Sequence, residues 1–449
     1  MTKGTIQQVV EDGMCTGCGV CAGICPTEAI GFMWDKYGDY VAYVDEKRCR
    51  DCGLCVQVCP GKEINFNQFA QFQDNFAQDG YSLKQGVGFC KGIKLVRTTD
   101  KQALERGTSG GGVRIVAEYL VQNKLVEGAI MITNNHETTS FPFYAKPAIL
   151  YDAESIKYNK VHSRYCPAPL GKVLRKVDKN KKYVFIGLPC HVHALRKLQV
   201  TDKQWKGVVP YVLGLLCAGT PTMKGNKYLF KVNGVDITKI RRVDYRDGEF
   251  PGAVYGFMED GKKVKVKSAG YYAPGTSLSK SIIGEVFMSS FFYRRRCLSC
   301  LDFFCSFSDL AFGDPWLERY RKEKEGASLV FIRSNVGKKV FDKVCSDGLL
   351  LKLYDVSPDE IKKTIDYQAK KWEGYYGLKR YSRYFHLQVP VYQGVKLDAK
   401  RFLNIGGLVD LCCAEIGVHE SLLWITKYIQ FFRIGIRVLI RKLRKICQF

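Results

Sequence analysis

Eight cysteines near the amino terminus constrain this chain more than any other feature. They stand in two runs of identical spacing. The first reads Cys15-Thr-Gly-Cys18-Gly-Val-Cys21-Ala-Gly-Ile-Cys25-Pro26, and the second Cys49-Arg-Asp-Cys52-Gly-Leu-Cys55-Val-Gln-Val-Cys59-Pro60. Three thiolates two residues apart wrap a tight loop round three irons of one cubane. The fourth starts a helix that leads toward the other loop, so ligation crosses between the runs. Cys15, Cys18, Cys21 and Cys59 are therefore assigned to one [4Fe-4S] cluster, and Cys49, Cys52, Cys55 and Cys25 to the other. Structural zinc shares the short C-x-x-C spacing. Two consecutive runs that each end in Cys-Pro favour iron.

This spacing is the signature of a bacterial-type two-cluster ferredoxin. Gly17, Gly19 and Gly53 leave room for backbone N–H groups to approach the sulfides, which tunes the potential. The unit is also compositionally separate. Residues 1–60 hold five basic side chains against eight acidic ones, whereas the whole chain of 449 residues carries a net charge of +25. The first residues are polar, with no apolar signal core, and 19 cysteines in C-x-x-C runs suit a reducing compartment better than a disulfide framework. A cytoplasmic location is expected.

The boundaries read as a ferredoxin domain over 1–64, a linker or covering segment rich in Gln, Phe and Asn over 65–85, an α/β domain over 86–353, an extension over 354–419 and a basic amphipathic helix over 420–449. In the α/β domain the runs Gly128 to Thr133, Tyr183 to Gly187 and Val208 to Leu216 predict buried strands. Gly111 to Gln122 and His191 to Leu198 predict helices. The fold class expected is multidomain α+β and α/β: a bacterial-ferredoxin-like domain, a mixed α/β domain and a helical tail.

A second set of cysteines sits beside glycine and proline at strand or loop ends: Gly187-Leu-Pro-Cys190, Cys217-Ala-Gly219, and Cys297-Leu-Ser-Cys300 followed by Cys305. We expect a third [4Fe-4S] cluster held by Cys190, Cys217, Cys297 and Cys300, with Cys305 as the alternate ligand. Cys90, Cys166, Cys345, Cys412, Cys413 and Cys447 read as structural thiols. The turn Gly107-Thr-Ser109-Gly110-Gly111-Gly112, directly before a helix, has the form of a phosphate cradle.

Together these motifs resemble the coenzyme F420 hydrogenase/dehydrogenase beta-subunit family, in the form with a fused ferredoxin. The matching segments are Ser109 to Gly112, Ser163-Arg164-Tyr165, Ile186 to His191, Leu215 to Gly219, Asp244-Tyr-Arg246, Arg296 to Cys300, Asp309 to Trp316 and Gly326 to Val330. The resemblance implies an FAD-containing α/β domain with an additional cluster near the flavin. Ser109, Gly110, Gly111, Gly112, Ser163, Arg164 and Tyr165 would bind FAD, and an Arg164 guanidinium pairs well with phosphate oxygens. His191 is the candidate proton donor, with His193 beside it. At His162, Arg164, Ala218 and Phe250 the chain departs from the family pattern, so use of F420 itself is not carried over.

The expected function is an iron-sulfur flavoprotein oxidoreductase acting on a small organic molecule, with a role in surface-polysaccharide metabolism as one branch of the resemblance. The alternative is a subunit that feeds a partner oxidoreductase. A ferredoxin-like or other redox protein is the expected partner. The tail from Glu420 to Phe449 carries seven basic residues and one acidic residue. Its apolar runs are too short to span a bilayer but suit peripheral contact with the inner face of an anionic membrane. No base-reading module accompanies the charge, so nucleic acid is not an expected partner.

Overall fold

The computed structural model describes residues 4–72, 81–82, 87–105, 107, 109–134, 145–158, 163–248, 252–266, 290–320, 325–364, 367–396, 406–419 and 422. The basic tail (Leu422 apart), Cys447, His162 and Phe250 lie outside them.

In the amino-terminal unit each cysteine loop runs into one helical turn, Val20–Gly23 and Leu54–Gln57. The residue before each turn is glycine at positive φ, Gly19 at 86° and Gly53 at 75°, a conformation that costs other residues free energy. Between the loops, Ile30–Trp34 pairs antiparallel with Tyr40–Val44. Ile6, Val9, Ala22, Ile30 and Ala42 form the small core beneath.

The second unit is built on an eight-stranded mixed sheet. Its spatial order is Leu350–Asp355, Gly92–Thr98, Ser328–Ile332, Leu310–Gly313, Tyr211–Leu215, Tyr183–Gly187, Gly128–Asn134 and Ala145–Leu150. Five of these strands share one direction, those starting at Gly92, Gly128, Tyr183, Tyr211 and Leu310. Their carboxyl ends therefore meet at one sheet edge, where ligands of open α/β sheets are held.

Apolar alternation explains why the strand runs read as continuously hydrophobic. Tyr183 and Phe185 face one core, while Val184 and Ile186 face the other; a period of two with both faces covered leaves no polar position. Helices Gly112–Gln122 and Asn335–Ser346 cover the second face. Helix Pro189–Thr201, the strap Phe66–Phe69 and helix Tyr367–Phe385 cover the first. The strand expected from Val208 begins only at Tyr211, because Val208 closes a short helix and Pro210 has no N–H for the ladder.

The segment from residue 65 starts as a covering strap. Phe66 and Phe69 are fully buried among Phe307 and His193, and the Asn65 side chain caps their helix by accepting from the Asn67 and Gln68 N–H groups. Strand Glu63–Asn65 pairs in parallel with Val391–Gln393, which brings the extension against the ferredoxin unit. Outside the main sheet, Ile240–Asp247, Ala253–Met258 and Lys263–Lys265 form a three-stranded antiparallel sheet. Among the described residues no helix is long and apolar enough to cross a membrane.

The two units touch closely where the helical turn Val20–Gly23 meets the 3-10 helix Leu170–Lys176. The Gly171 N–H donates to Cys18 O at 2.7 Å, and a Cβ added at Gly171 would stand 2.6 Å from Val20 Cα. Gly171→Ala should therefore destabilise the protein by about 1–3 kcal/mol through overpacking. Urea unfolding followed at the cluster absorbance checks this, and an unchanged midpoint would reject the tight contact.

Candidate functional site

The cysteine loops are held by their own backbone. The Gly17 N–H donates to Cys15 Sγ at 3.4 Å, the Asp51 N–H to Cys49 Sγ at 3.4 Å and the Gly61 N–H to Cys59 Sγ at 3.3 Å. Asp51 takes the place of Gly17 in the second loop, and both have positive φ, 47° and 64°. Cys59 lies in the field of Cys15 and Cys18, and Cys21 in that of all three. Cys55 of the second run also acts on Cys21, so the two runs approach each other there. Burial pushes Cys59 up to about 12. Such thiols carry their protons in the metal-free state, and cluster loading must expel them.

The second set of cysteines converges at the carboxyl edge of the main sheet. Cys190 opens the helix after Gly187, Cys217 follows strand Tyr211–Leu215, and Cys297 and Cys300 flank the end of the turn Arg295–Leu298. All four line one cavity with about 480 Å3 of atom-free space including its mouth. Thr16 and Pro60 of the ferredoxin unit form part of the same wall. Burial pushes Cys217 up to about 12 and Cys190 well above the ordinary thiol range. Cys18 is the foremost charge acting on Cys190, so the cavity adjoins the first cysteine loop. Cys305 does not line the cavity. It is buried against Gly214, with φ 51°. Among the described residues no three His, Cys, Asp or Glu side chains converge on a point that would hold a single metal ion.

Three consecutive arginines lock this cavity to the ferredoxin unit. Arg294 Nε donates to Asp39 Oδ1 at 2.9 Å and its Nη1 to Thr16 O. Arg295 stacks on Tyr37. Arg296 donates from Nε to Gly61 O at 2.8 Å and from Nη2 to Pro60 O at 3.0 Å. From the helix on the other side, Lys197 Nζ reaches Cys59 O at 2.7 Å. His193 and Asp302 also line the cavity, with His193 Nε2 3.0 Å from Asp302 Oδ2. Burial alone would raise the Asp302 carboxyl; His193 and the Ser306 N–H outweigh it and hold the group below the ordinary carboxylate range.

The remaining sequence candidates divide. His191 is buried, and both its ring nitrogens are spent on backbone. Nδ1 accepts from the Leu188 N–H at 3.2 Å, and Nε2 then donates to Ala168 O at 3.1 Å. Burial drives its pKa down to about 4, so the ring serves as a neutral helix cap. The glycine turn packs on the start of strand Ser328–Ile332. Ser109 Oγ donates to Ala327 O, the Gly112 N–H donates to Ser328 Oγ at 3.2 Å, and a Cβ on Gly110 would stand 2.6 Å from Ala327 Cα. Gly111, at φ 73°, is the N-cap of the following helix. The N–H of Gly112 is therefore already taken.

Arg164 is different. Its side chain is 8% exposed and Nη1 donates to Val243 O, yet Nε and Nη2 have no hydrogen-bond partner. Nη2 approaches Asp244 only to 3.9 Å, and that carboxylate already pairs with Arg242 Nη2 at 3.1 Å. Two guanidiniums sharing one carboxylate leave a local positive excess suited to an anion. Burial lowers the Arg164 pKa. Ser163 and Tyr165 flank it, with Tyr165 O accepting from Asn226 Nδ2 at 2.9 Å.

The local sequence signal did not extend to Lys371 and Tyr392, which line the cysteine cavity from the extension. Arg296 and Asp302, neighbours of the C-x-x-C pair, carried such a signal in their proximity alone.

Two cysteine-rich loops seated on the ligand edge of an α/β sheet define an iron-sulfur electron-transfer protein. Residues 14–62 match the 4Fe-4S dicluster domain. Residues 94–175 match the amino-terminal domain, and residues 180–359 the carboxyl-terminal domain, described as "Coenzyme F420 hydrogenase/dehydrogenase, beta subunit". The chain belongs to the coenzyme F420 hydrogenase/dehydrogenase beta-subunit family.

Its relatives include the coenzyme F420 hydrogenase subunit beta of Methanococcus voltae, 24% identical over 285 residues that make up 61% of this chain and 87% of the relative. The F420-dependent formate dehydrogenase subunit beta of Methanocaldococcus jannaschii is 23% identical over 313 residues, 66% of this chain and 74% of the relative. The coenzyme F420-dependent sulfite reductase of the same organism is 23% identical over 392 residues, 83% of this chain and 52% of that protein. A chain in the F420-reducing [NiFe] hydrogenase complex from Methanosarcina barkeri shares the fold, with a TM-score of 0.50 at 18% identity, covering 68% of this chain and 96% of that one.

Proposed function

We propose that electrons pass singly through two [4Fe-4S] clusters in the ferredoxin unit to a third held by Cys190, Cys217, Cys297 and Cys300. From there they pass to FAD, for two-electron exchange with an organic substrate. The observation that carries this reading is the single cavity lined by those four cysteines together with Thr16 and Pro60. It puts the third set of thiols against the loop that bears Cys15 and Cys18. The order of transfer follows: the cluster of Cys25, Cys49, Cys52 and Cys55 lies outermost, that of Cys15, Cys18, Cys21 and Cys59 lies between, and the sheet-edge cluster lies innermost.

FAD, when bound, supplies the conversion between one-electron and two-electron chemistry. The unpaired N–H groups of Arg164 fit one of its phosphates. The glycine turn fits less directly, since it shapes the strand edge and has committed the Gly112 N–H to Ser328. Arg294 and Arg296 fix the ferredoxin unit against the cavity, so the transfer geometry is preorganised. The Asp302–His193 pair places a satisfied carboxylate in the cavity wall.

Anaerobic purification with metal, sulfide and flavin analysis tests the reading. About twelve irons per chain and stoichiometric FAD are expected. About eight irons, or zinc in place of iron, would reject the third cluster or the whole scheme respectively. Arg164→Gln should weaken FAD retention by about 1.5–3 kcal/mol with the iron content unchanged; full retention would remove Arg164 from the flavin site. A second reading, a relay subunit that passes electrons to a partner protein, is favoured by the names of two of the relatives, which are beta subunits. Reoxidation of the reduced protein only when a partner protein is added would select it.

A further inference from the structure

We infer that Lys371, from the extension beyond the family's matched span, is the counter-charge of the third cluster and holds its potential up. The inference rests on the three-cluster reading above. Lys371 lines the cysteine cavity and is 8% exposed. Among the described residues no carboxylate forms an ion pair with it. Asp302, on the same wall, spends its oxygens on His193 and Ser306. An ammonium buried here is costly unless an anion stands close; the Asp302 carboxylate acts on it but is already shared in this way, which leaves the site suited to a further anion. Four thiolates round a [4Fe-4S] core supply one, and it gains a further negative charge on reduction.

The placement is built in by several contacts. On the same helix, Tyr367–Phe385, Gln368 Oε1 accepts from the Phe303 N–H at 2.8 Å and Trp372 Nε1 donates to Leu301 O at 2.8 Å. Tyr392 OH accepts from the Leu301 N–H at 3.2 Å and from Arg296 Nη2 at 3.2 Å. These contacts clamp the loop that follows Cys300. They come from residues after 359, where the match to the family's carboxyl-terminal domain ends.

A charge that interacts more strongly with the reduced cluster than with the oxidised one raises its midpoint. Lys371→Met should therefore lower the midpoint of one cluster by about 59 mV, a tenfold shift in a one-electron equilibrium, and leave the other two unchanged. Lys371→Arg should restore it. Potentiometric titration followed by electron paramagnetic resonance, on protein assayed for iron, reads the effect. Full iron with unmoved midpoints in Lys371→Met overturns the inference and leaves the third cluster standing. About eight irons in the unmodified protein overturns the three-cluster reading instead. If Lys371→Met alone loses a cluster, recovery of iron in Lys371→Arg supports the charge role, and failure to recover rejects it in favour of packing.

Discussion

Cys217→Ala should leave about eight irons per chain, against about twelve expected of the unmodified protein on the proposed three-cluster scheme, and the spectroscopic features of the two amino-terminal clusters should persist. Cys217 stands two residues after the end of strand Tyr211–Leu215, and its N–H donates to Phe303 O at 3.0 Å. The backbone that presents the thiol is thus fixed independently of any metal, and removing Sγ should empty the ligand position without unfolding the sheet. The nearest alternative cannot replace it. Cys305 is wedged against Gly214 and off the cavity, and its backbone sits at φ 51°, so reaching inward would require the loop from Phe303 to Ser308 to rebuild. Cys305→Ala should accordingly retain about twelve irons. The reverse outcome, iron lost from Cys305→Ala and kept in Cys217→Ala, would move the ligand set to the alternate cysteine.

The ferredoxin runs were legible because cubane ligation is a local matter: three of the four ligands lie within seven residues of one another, and spacing alone specifies the loop. Buried strands were legible for a similar reason, since a run such as Tyr183 to Gly187 must satisfy two cores at once. Sequence spacing does not separate Cys300 from Cys305; in the fold only Cys300 lines the cavity. Both lie in turn-rich sequence, but the backbone of Cys305 turns its thiol beneath the neighbouring strand.

The glycine turn shows how one local motif can serve a tertiary contact. Ser109 to Gly112 has the composition of a phosphate cradle. Its glycines admit Ala327 and Ser328, so two separate resemblance motifs, Ser109-Gly-Gly-Gly112 and Gly326-Ala-Ser328, are the two sides of one contact. His191 illustrates the same point, since its helix-start position and its ring serve the backbone. Lys371 and Tyr392 had no signal, because they reach the cavity only through tertiary folding from a segment far along the chain.

Arg294→Met should cost about 3–5 kcal/mol of stability at neutral pH, the range expected when one member of a buried ion pair is removed. Arg294 is 4% exposed and Asp39 5% exposed, and the bond between them joins the sheet-edge unit to the ferredoxin ribbon. Burial pushes the Asp39 carboxyl up, and Arg294 pulls it back only in part, so its pKa stays above the ordinary value. Without the guanidinium the shift must grow. A carboxyl whose folded pKa is raised stabilises the fold below its unfolded pKa and loses that contribution as pH rises through the folded value. The deficit of Arg294→Met should therefore be largest above the raised Asp39 pKa of the variant and shrink as pH is lowered through it toward the ordinary carboxylate range. Anaerobic denaturant titrations across that range measure it. A deficit that is flat with pH would mean that Asp39 is not the group left behind. The same arginine sits in the fields of Cys15 and Cys297, one thiol from each side of the proposed transfer step. On the proposed three-cluster path, the contact that holds the units together would also set how the inner two clusters face each other, and the variant should slow reduction of the third cluster even where the fold survives.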